Sequence, residues 1–378
     1  VTTAPISLKV LLKGQLRYMN ENGFDVIMVS SDGKELDSVK LAEGCPHHIV
    51  PMTRRMTPFR DLRCLWLLYR FFRKEKPDIV HSHTPKAGLL SMLAAKMAGI
   101  KLRIHTVAGL RYVTTKGFNR KVLVTMEKIT GKAATHIWAN SFSLERTIRR
   151  NKLVKDKKLE VIAQGSSNGV DLTRYSTTAL DEEKVKETKK KLQYNDQLIY
   201  FLSVGRIVQD KGMDELVNTF IKLHREAPQT RLVIVGDFED EVDPVSHTTR
   251  QLITTHPAVI MTGWSDAVEY YMHLAYALVH PSHREGFPNV LLQAGAMNCP
   301  VICSRIDGNV DIVENERTGL IFEVKNEEQL FEKMQMALAN PATMRKYAGD
   351  LRRRIELSFA QPVIHSAIRE KYLELLAV

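Results

Sequence analysis

Short apolar segments alternate with longer helical ones along this chain, stop once, and begin again; that pattern constrains the fold more than any other feature. Phe24-Asp-Val-Ile-Met-Val-Ser reads as a strand running into the polar Ser30-Ser-Asp-Gly turn. Residues 60–76 read as a helix with Leu62, Leu65, Trp66, Tyr69 and Phe72 on one face, stopped by Pro77. Strands follow at 78–83, 101–107, 135–141 and 159–162, with a small-residue helix at 87–98 closed by Gly99. Residues 165–180 are polar and turn-rich and read as a domain junction, followed by a charged helix at 181–192. The alternation then restarts, with strands at 198–205, 231–236, 259–263, 277–281, 300–304 and 319–322 and a helix at 213–226. Residues 352–376 form a basic helical tail. Strands spaced by helices of this length predict parallel sheets covered on both faces. The expected fold class is therefore α/β, with two Rossmann-like doubly wound domains, 1–170 and 171–359, facing across a cleft.

Composition narrows the class further. With 44% hydrophobic and 26% charged residues, the chain is neither disordered nor a coiled coil. No stretch reaches the ~18 uncharged apolar residues of a membrane-spanning helix; the best, 62–72, is short and contains Arg63 and Arg70. No secretory signal is visible, and Val1-Thr-Thr-Ala-Pro reads as the tail of a strand whose beginning lies upstream. Cys45, Cys64, Cys299 and Cys303 make no disulfide framework and predict buried thiols in a reducing compartment. The net charge of +11 is uneven. Residues 1–170 hold 30 Lys and Arg against 13 Asp and Glu, and the remainder 24 against 30. A basic half points to an anionic partner, whether nucleic acid, membrane surface or phosphorylated substrate; a solvated basic surface is the plain alternative.

Glycines at strand ends mark where backbone can approach a ligand closely, and Gly205, Gly236 and Gly263 each stand at one. No Gly-x-Gly-x-x-Gly occurs, which argues against an NAD-dependent oxidoreductase. Two constellations could carry chemistry. In Ser203-Val-Gly-Arg-Ile-Val-Gln-Asp-Lys-Gly, Arg206 and Lys211 flank a strand–helix junction and could clamp a diphosphate; taken alone they are two solvated cations. In His280-Pro-Ser-His-Arg-Glu-Gly-Phe-Pro, Glu285 precedes Gly286 and Phe287, with Pro288 expected at the first helical position. Backbone N–H groups at such a helix start hold phosphate, and a carboxylate there can accept sugar hydroxyls. Gln293, eight residues after Glu285, is expected on the same side. Taken alone, Glu285 is an ordinary helix cap and Gln293 a surface residue.

Together, Gly205-Arg206, Lys211-Gly212 and the Glu285-x7-Gln293 stretch resemble the retaining GT-B glycosyltransferases of family 4. Ser167-Asn-Gly-Val-Asp, Gly263 and Asn315-Glu-Arg-Thr-Gly-Leu agree with it. Thr2-Thr-Ala-Pro-Ile-Ser, Gly14-Gln15, His83-Thr-Pro-Lys-Ala-Gly and Thr106-Val-Ala-Gly-Leu are similar to bacterial transferases that build lipid-linked capsular or O-antigen repeat units. The resemblance implies that Arg206 and Lys211 bind the donor diphosphate with N–H groups of Gly286 and Phe287, and that Glu285 holds donor-sugar hydroxyls. It implies that Gln293 meets the ribose, that the loop around Gly263 passes near the base, and that Gly14 lets backbone approach phosphate or acceptor. Lys86 is the candidate for an acceptor phosphate, and the tail from about 360 to 378 crosses back onto the first domain. The implied reaction moves a hexose or N-acetylhexosamine from a nucleotide sugar, UDP-linked, to a polyprenyl-diphosphate-linked saccharide with retention. It implies no cofactor, and a protein lying peripherally on the cytoplasmic face of the inner membrane.

Two positions depart from the family pattern. Gln293 stands where Glu is usual, and Ala108 where many relatives have His. His105 lies three residues away along a strand, hence on the other face, and is expected to be structural. His81 and His83 share a strand face but bring no third ligand, so cleft lining outweighs a metal site. The absence of Asp-x-Asp fits metal-independent transfer. Two other readings compete: a non-catalytic nucleotide-sugar or glycan-binding subunit, and a nucleic-acid binder, for which no recognition element is present.

Overall fold

The computed structural model describes residues 1–53, 55–113, 115–241 and 243–377. The chain divides into two compact units: residues 1–169 with 361–378, and residues 170–360.

The first unit is built on parallel strands β1 (Met28–Ser30), β2 (His47–Ile49), β3 (Ile79–Ser82), β4 (Leu102–Val107), β5 (His136–Ala139) and β6 (Leu159–Glu160). β3 to β6 form a sheet in chain order, and β1 pairs with β2. Residues at the start of the chain hydrogen-bond to both groups: Thr2 N donates to Val29 O (2.9 Å), and His83 N donates to Val1 O (3.1 Å). Helix Pro85–Met97 lies against the sheet through Ala87, Gly88, Ser91, Ala94 and Ala95. Its small residues permit that approach, because a Cβ on Gly88 would come within 2.4 Å of the His105 ring. Helix Gln361–Leu376 packs Ile364 and Ile368 with Met19, Ile104 and Trp138.

The second unit is one parallel sheet of β7 (Ile199–Val204), β8 (Thr230–Val235), β9 (Val259–Met261), β10 (Ala277–His280), β11 (Val301–Ser304) and β12 (Leu320–Phe322). Its order is β12-β11-β10-β7-β8-β9. Successive side chains enter opposite cores: Phe201, Leu232, Ala277 and Ile302 on one face, Leu202, Val233, Leu278 and Val301 on the other. A strand buried on both faces needs a continuous apolar run, which is how these segments read. The order reverses between β7 and β10, the position where doubly wound sheets bind ligands at their carboxyl edge.

Several local expectations change. The 24–30 strand shortens to Met28–Ser30. The 352–376 tail is two helices, Pro341–Ser358 and Gln361–Leu376, and Phe359, which ends the first, is buried in the core of the second unit. The apolar face expected for 60–76 is buried only in part: Phe72 lies in the core and Leu65 and Tyr69 pack against it. Helix Pro58–Glu75 buries Cys64, Leu68 and Phe72, whereas Leu62 and Trp66 are 63% and 53% exposed. The inward stripe runs at a spacing of four, a choice of rows that apolar periodicity alone left open. All four cysteines are buried and unpaired.

Candidate active site

β7 ends at Val204 and hands the chain to Gly205 and Arg206; a short turn, Gln209–Lys211, leads to helix Met213–Glu226. Two glycines make this path possible. A Cβ on Gly236 would sit 1.9 Å from Gly205 O, so the ends of β7 and β8 can be this close only with glycine there. Gly212 starts the helix at φ +69°, and a Cβ there would lie 2.2 Å from Pro281 O. The 206–212 segment is thereby pressed against the loop that follows β10.

That loop carries Glu285. Lys211 Nζ donates to its Oε1, Ser282 Oγ donates to the same oxygen at 3.0 Å, and His280 Nε2 lies 3.4 Å from it. Glu285 is 17% exposed. Burial alone would push its carboxyl up. The Lys211 charge and His280 outweigh that and hold it well below the usual carboxylate range, so it is ionised. Among the described residues no hydrogen bond reaches Oε2, and none engages the N–H groups of Gly286 and Phe287. An ionised acceptor thus stands beside two unengaged donors at the switch between β7 and β10.

Neighbouring pairs fix the loop. Arg284 Nη2 contacts Asp210 Oδ2 at 2.6 Å, His283 Nε2 lies 2.9 Å from Glu215 Oε1, and His283 N donates to Asp210 O at 2.9 Å. Arg206 projects outward and pairs with Glu239 at 2.7 Å; both are exposed, so an incoming anion can exchange for Glu239 at small cost. Gly263 follows β9; Trp264 N donates to Asp237 Oδ1 at 3.2 Å, and the Trp264 ring is 64% exposed.

Pro288 is the N-cap of helix Asn289–Ala296 rather than its first residue. Glu285 therefore lies in the loop ahead of the helix, and helical periodicity does not relate it to Gln293. Gln293 Nε2 donates to Tyr175 Oη at 2.8 Å. Burial pushes the Tyr175 hydroxyl up to about 12, outweighing Arg174 beside it. Arg174 is itself anchored on Glu269 at 3.0 Å. Tyr175 was not legible as a site residue: it sits in the turn-rich junction, far from Gln293 in sequence and without a motif.

Arg206, Lys211, Gly205, Gly263, Glu285, Gly286, Phe287 and Gln293 all belong to the second unit, on the segments that follow its strands. Gly14 and Lys86 belong to the first. Gly14 starts helix Gln15–Glu21, and its N–H donates to Glu43 Oε1 at 2.7 Å. Lys86 is buried; its ammonium donates to Asp61 Oδ1 at 2.8 Å and also to Arg55 O, so a phosphate there would have to displace Asp61. Also in the first unit, His81 bonds Thr106 Oγ1 at 2.7 Å and the Tyr372 hydroxyl, and burial holds it well below the usual histidine range. His105 bonds Ser82 Oγ at 2.9 Å, and burial lowers it to about 4.

Two family models match the chain, "Glycosyltransferase Family 4" over residues 10–174 and "Glycosyl transferases group 1" over residues 184–354. The chain is 37% identical over 364 residues to the capsular polysaccharide biosynthesis glycosyltransferase CapM of Staphylococcus aureus, covering 96% of this chain and 93% of the relative. It is 26% identical to the UDP-Gal:alpha-D-GlcNAc-diphosphoundecaprenol alpha-1,3-galactosyltransferase of Escherichia coli, covering 86% and 85%. The crystal structure of Anabaena Alr3699/HepE in complex with UDP shares the fold with a TM-score of 0.79, at 15% identity and 99% and 98% coverage. The two-sheet α/β architecture is that of GT-B glycosyltransferases, and the chain belongs to glycosyltransferase family 4.

Proposed function

We propose that this chain transfers a hexose or N-acetylhexosamine from a UDP-sugar to a polyprenyl-diphosphate-linked saccharide, with retention and without a metal ion, in the assembly of a capsule- or O-antigen-type polysaccharide. The observation that carries the reading is the juxtaposition at the β7–β10 switch. Lys211, the ionised Glu285 and the unengaged N–H groups of Gly286 and Phe287 converge where a diphosphate and its sugar would lie. The names of the Staphylococcus and Escherichia relatives support the capsule context, the UDP donor and the diphosphoundecaprenol acceptor.

In this reading Arg206 releases Glu239 to engage the diphosphate together with Lys211, and the Gly286 and Phe287 N–H groups complete its shell. Glu285 accepts donor-sugar hydroxyls through Oε2. Gln293, held by Tyr175, keeps its carbonyl oxygen for a ribose hydroxyl. The segment around Gly263 borders the base, and Gly14 and Lys86 serve the phosphate or acceptor side. The bond from the anomeric carbon to the diphosphate breaks, and the acceptor oxygen bonds that carbon on the same face. The acceptor proton passes to the departing phosphate oxygen, so no protein nucleophile is required. Arg206 and Lys211 stabilise the charge that develops on the leaving group. A lipid-linked acceptor places the protein on the cytoplasmic face of the inner membrane, against an anionic surface. Among the described residues no helix is long and apolar enough to cross a membrane.

Calorimetric titration with UDP tests the donor site. Arg206→Ala and Glu285→Ala should weaken binding of UDP-sugar, and Arg206→Ala alone should weaken UDP strongly. Unchanged UDP affinity in Arg206→Ala would remove the assignment. The rival reading, a binding subunit that holds nucleotide sugar without turnover, rests on Gln293 and Ala108; donor binding without any product across an acceptor panel would favour it.

A further inference from the structure

Residues 237–243, Asp237-Phe-Glu-Asp-Glu-Val-Asp, hold five carboxylates and no cation. They follow β8 at the edge of the sheet to which the donor diphosphate is assigned above. An acidic segment at the rim of an anion site opposes binding by its sign alone.

The segment is tied to the 206–210 path. Phe238 bridges Ile207, whose N–H donates to Asp237 O at 2.8 Å. Gln209 N donates to Asp243 O at 3.1 Å, and Asp210 N donates to Asp243 Oδ2 at 2.7 Å. Arg250 lies over the Phe238 ring, 4.0 Å from its centroid, and pairs with Asp240. Glu239 stands between these anchors, its Oε2 2.7 Å from Arg206 Nη1.

Both cations of the site are therefore matched by a carboxylate, but unequally. Glu285 is largely buried and takes Ser282 as well as Lys211. Arg206 and Glu239 are 47% and 39% exposed, and among the described residues Arg206 makes no other ion pair or side-chain hydrogen bond. Such a pair is weak and exchangeable. A diphosphate that takes Arg206 leaves the Glu239 carboxylate close by, because its neighbours stay anchored. The repulsion it exerts grows with the charge of the ligand. A diphosphate esterified to a sugar carries one charge on each phosphate. Free UDP adds most of another, because its terminal phosphate ionises a second time at about 6. Transfer of the sugar thus makes a product that Glu239 repels more than it repels the donor.

We propose that Glu239 is a specificity-determining residue of the donor site: a tethered carboxylate that competes with the diphosphate for Arg206, admits nucleotide diphosphate sugars and selects against free nucleoside diphosphates and triphosphates. It takes Arg206 back as UDP leaves. The inference rests on the donor-site reading above.

Titration calorimetry on the full chain, without added metal, tests it with UDP, UTP and whichever of UDP-glucose, UDP-galactose and their N-acetyl forms binds best. Glu239→Gln should bind UDP about fivefold tighter, UTP at least as much so, and the UDP-sugar only about twofold tighter. High salt should remove most of the gain. The inhibition constant of UDP in the transfer assay should fall by the same factor as its Kd. Asp240→Asn, which loses the pair with Arg250 but none with Arg206, should keep the wild-type ratio of UDP to UDP-sugar affinity. An unchanged ratio in Glu239→Gln would overturn the inference, as would a gain that persists in high salt. Weaker UDP-sugar binding with UDP unchanged would overturn it too, making Glu239 an acceptor for sugar hydroxyls. Wild-type protein that binds neither UDP nor any UDP-sugar would overturn the donor-site reading as well. Binding that Arg206→Ala weakens, with the Glu239→Gln ratio unmoved, would overturn this inference alone.

Discussion

Lys211 and Glu285 meet as an ion pair across the point where the strand order of the second sheet reverses, Lys211 arriving from β7 and Glu285 from β10. Seventy-four residues separate them in sequence. Their contact is what turns two loose motifs into one site, and it sets the chemistry of both. Lys211→Met should therefore lower kcat by about a hundredfold, the scale of losing one preorganised electrostatic donor, while Lys211→Arg should retain part of it. Steady-state kinetics with a fixed acceptor would measure both.

The same pair predicts a shift in pH dependence. Burial raises the Glu285 carboxyl, and Lys211 and His280 more than reverse this. A carboxyl lowered on folding adds stability above its unfolded pKa, and that stability is lost as pH falls towards the folded value. In the wild type, then, Glu285 stays ionised through the mildly acidic range. In Lys211→Met burial acts with less opposition, the carboxyl rises, and the acid limb of UDP-sugar binding should move to higher pH. An unmoved acid limb in that variant would show that Lys211 does not set the ionisation of Glu285.

How far this site was legible in the sequence differs from residue to residue. Strands β7, β8 and β10 to β12 read well because they are buried on both faces and so nearly unbroken in apolar character, whereas β9, at the sheet edge, leaves Met261 40% exposed. Glycines at strand ends were also readable, since only backbone geometry demands them; Gly236 is the clearest, with Gly205 O 1.9 Å from where its Cβ would be. What could not be read were choices between nearly equivalent apolar rows and contacts distant in sequence. The 60–76 helix offered two rows, and the one chosen put Leu62 and Trp66 inside when they face out. Tyr175 and Glu239 carry no local signal; each becomes relevant only because folding places it beside Gln293 or Arg206.

Tyr175 should matter to donor affinity through Gln293. Tyr175→Phe removes the hydroxyl that holds the Gln293 amide at 2.8 Å and should cost about 1 kcal/mol of stability. It should also raise KM for the nucleotide sugar several-fold with kcat little changed. A KM equal to wild type would remove Tyr175 as a positioning residue.

Lys86 separates structural from binding roles. Its partly buried pair with Asp61 has side-chain exposures of 9% and 20%, and Lys86→Met leaves Asp61 without its charge partner. The expected loss is about 3 kcal/mol, read as a lowered Tm or urea midpoint. Lys86→Met with Asp61→Leu should recover most of that stability. If the double variant regains stability but still has a raised acceptor KM, Lys86 also serves the acceptor phosphate.

Gly212→Ala tests the path that brings the two halves of the site together. The new methyl would meet Pro281 O at 2.2 Å and sit at φ +69°, so the 206–212 segment must move away from the Glu285 loop. Stability should fall by about 2–4 kcal/mol, and UDP binding should weaken in the folded fraction.

The most direct test of the central claim is product mass. The protein, without added metal, is mixed with UDP- and GDP-sugars and detergent-solubilised polyprenyl-diphosphate saccharides. A hexose or N-acetylhexosamine mass gained by the lipid from a UDP-sugar, and lost in Glu285→Ala, is the predicted result. UDP-sugar that neither binds nor transfers, in wild-type protein whose fold is intact, would contradict the assignment of Arg206, Lys211 and Glu285 to a donor site.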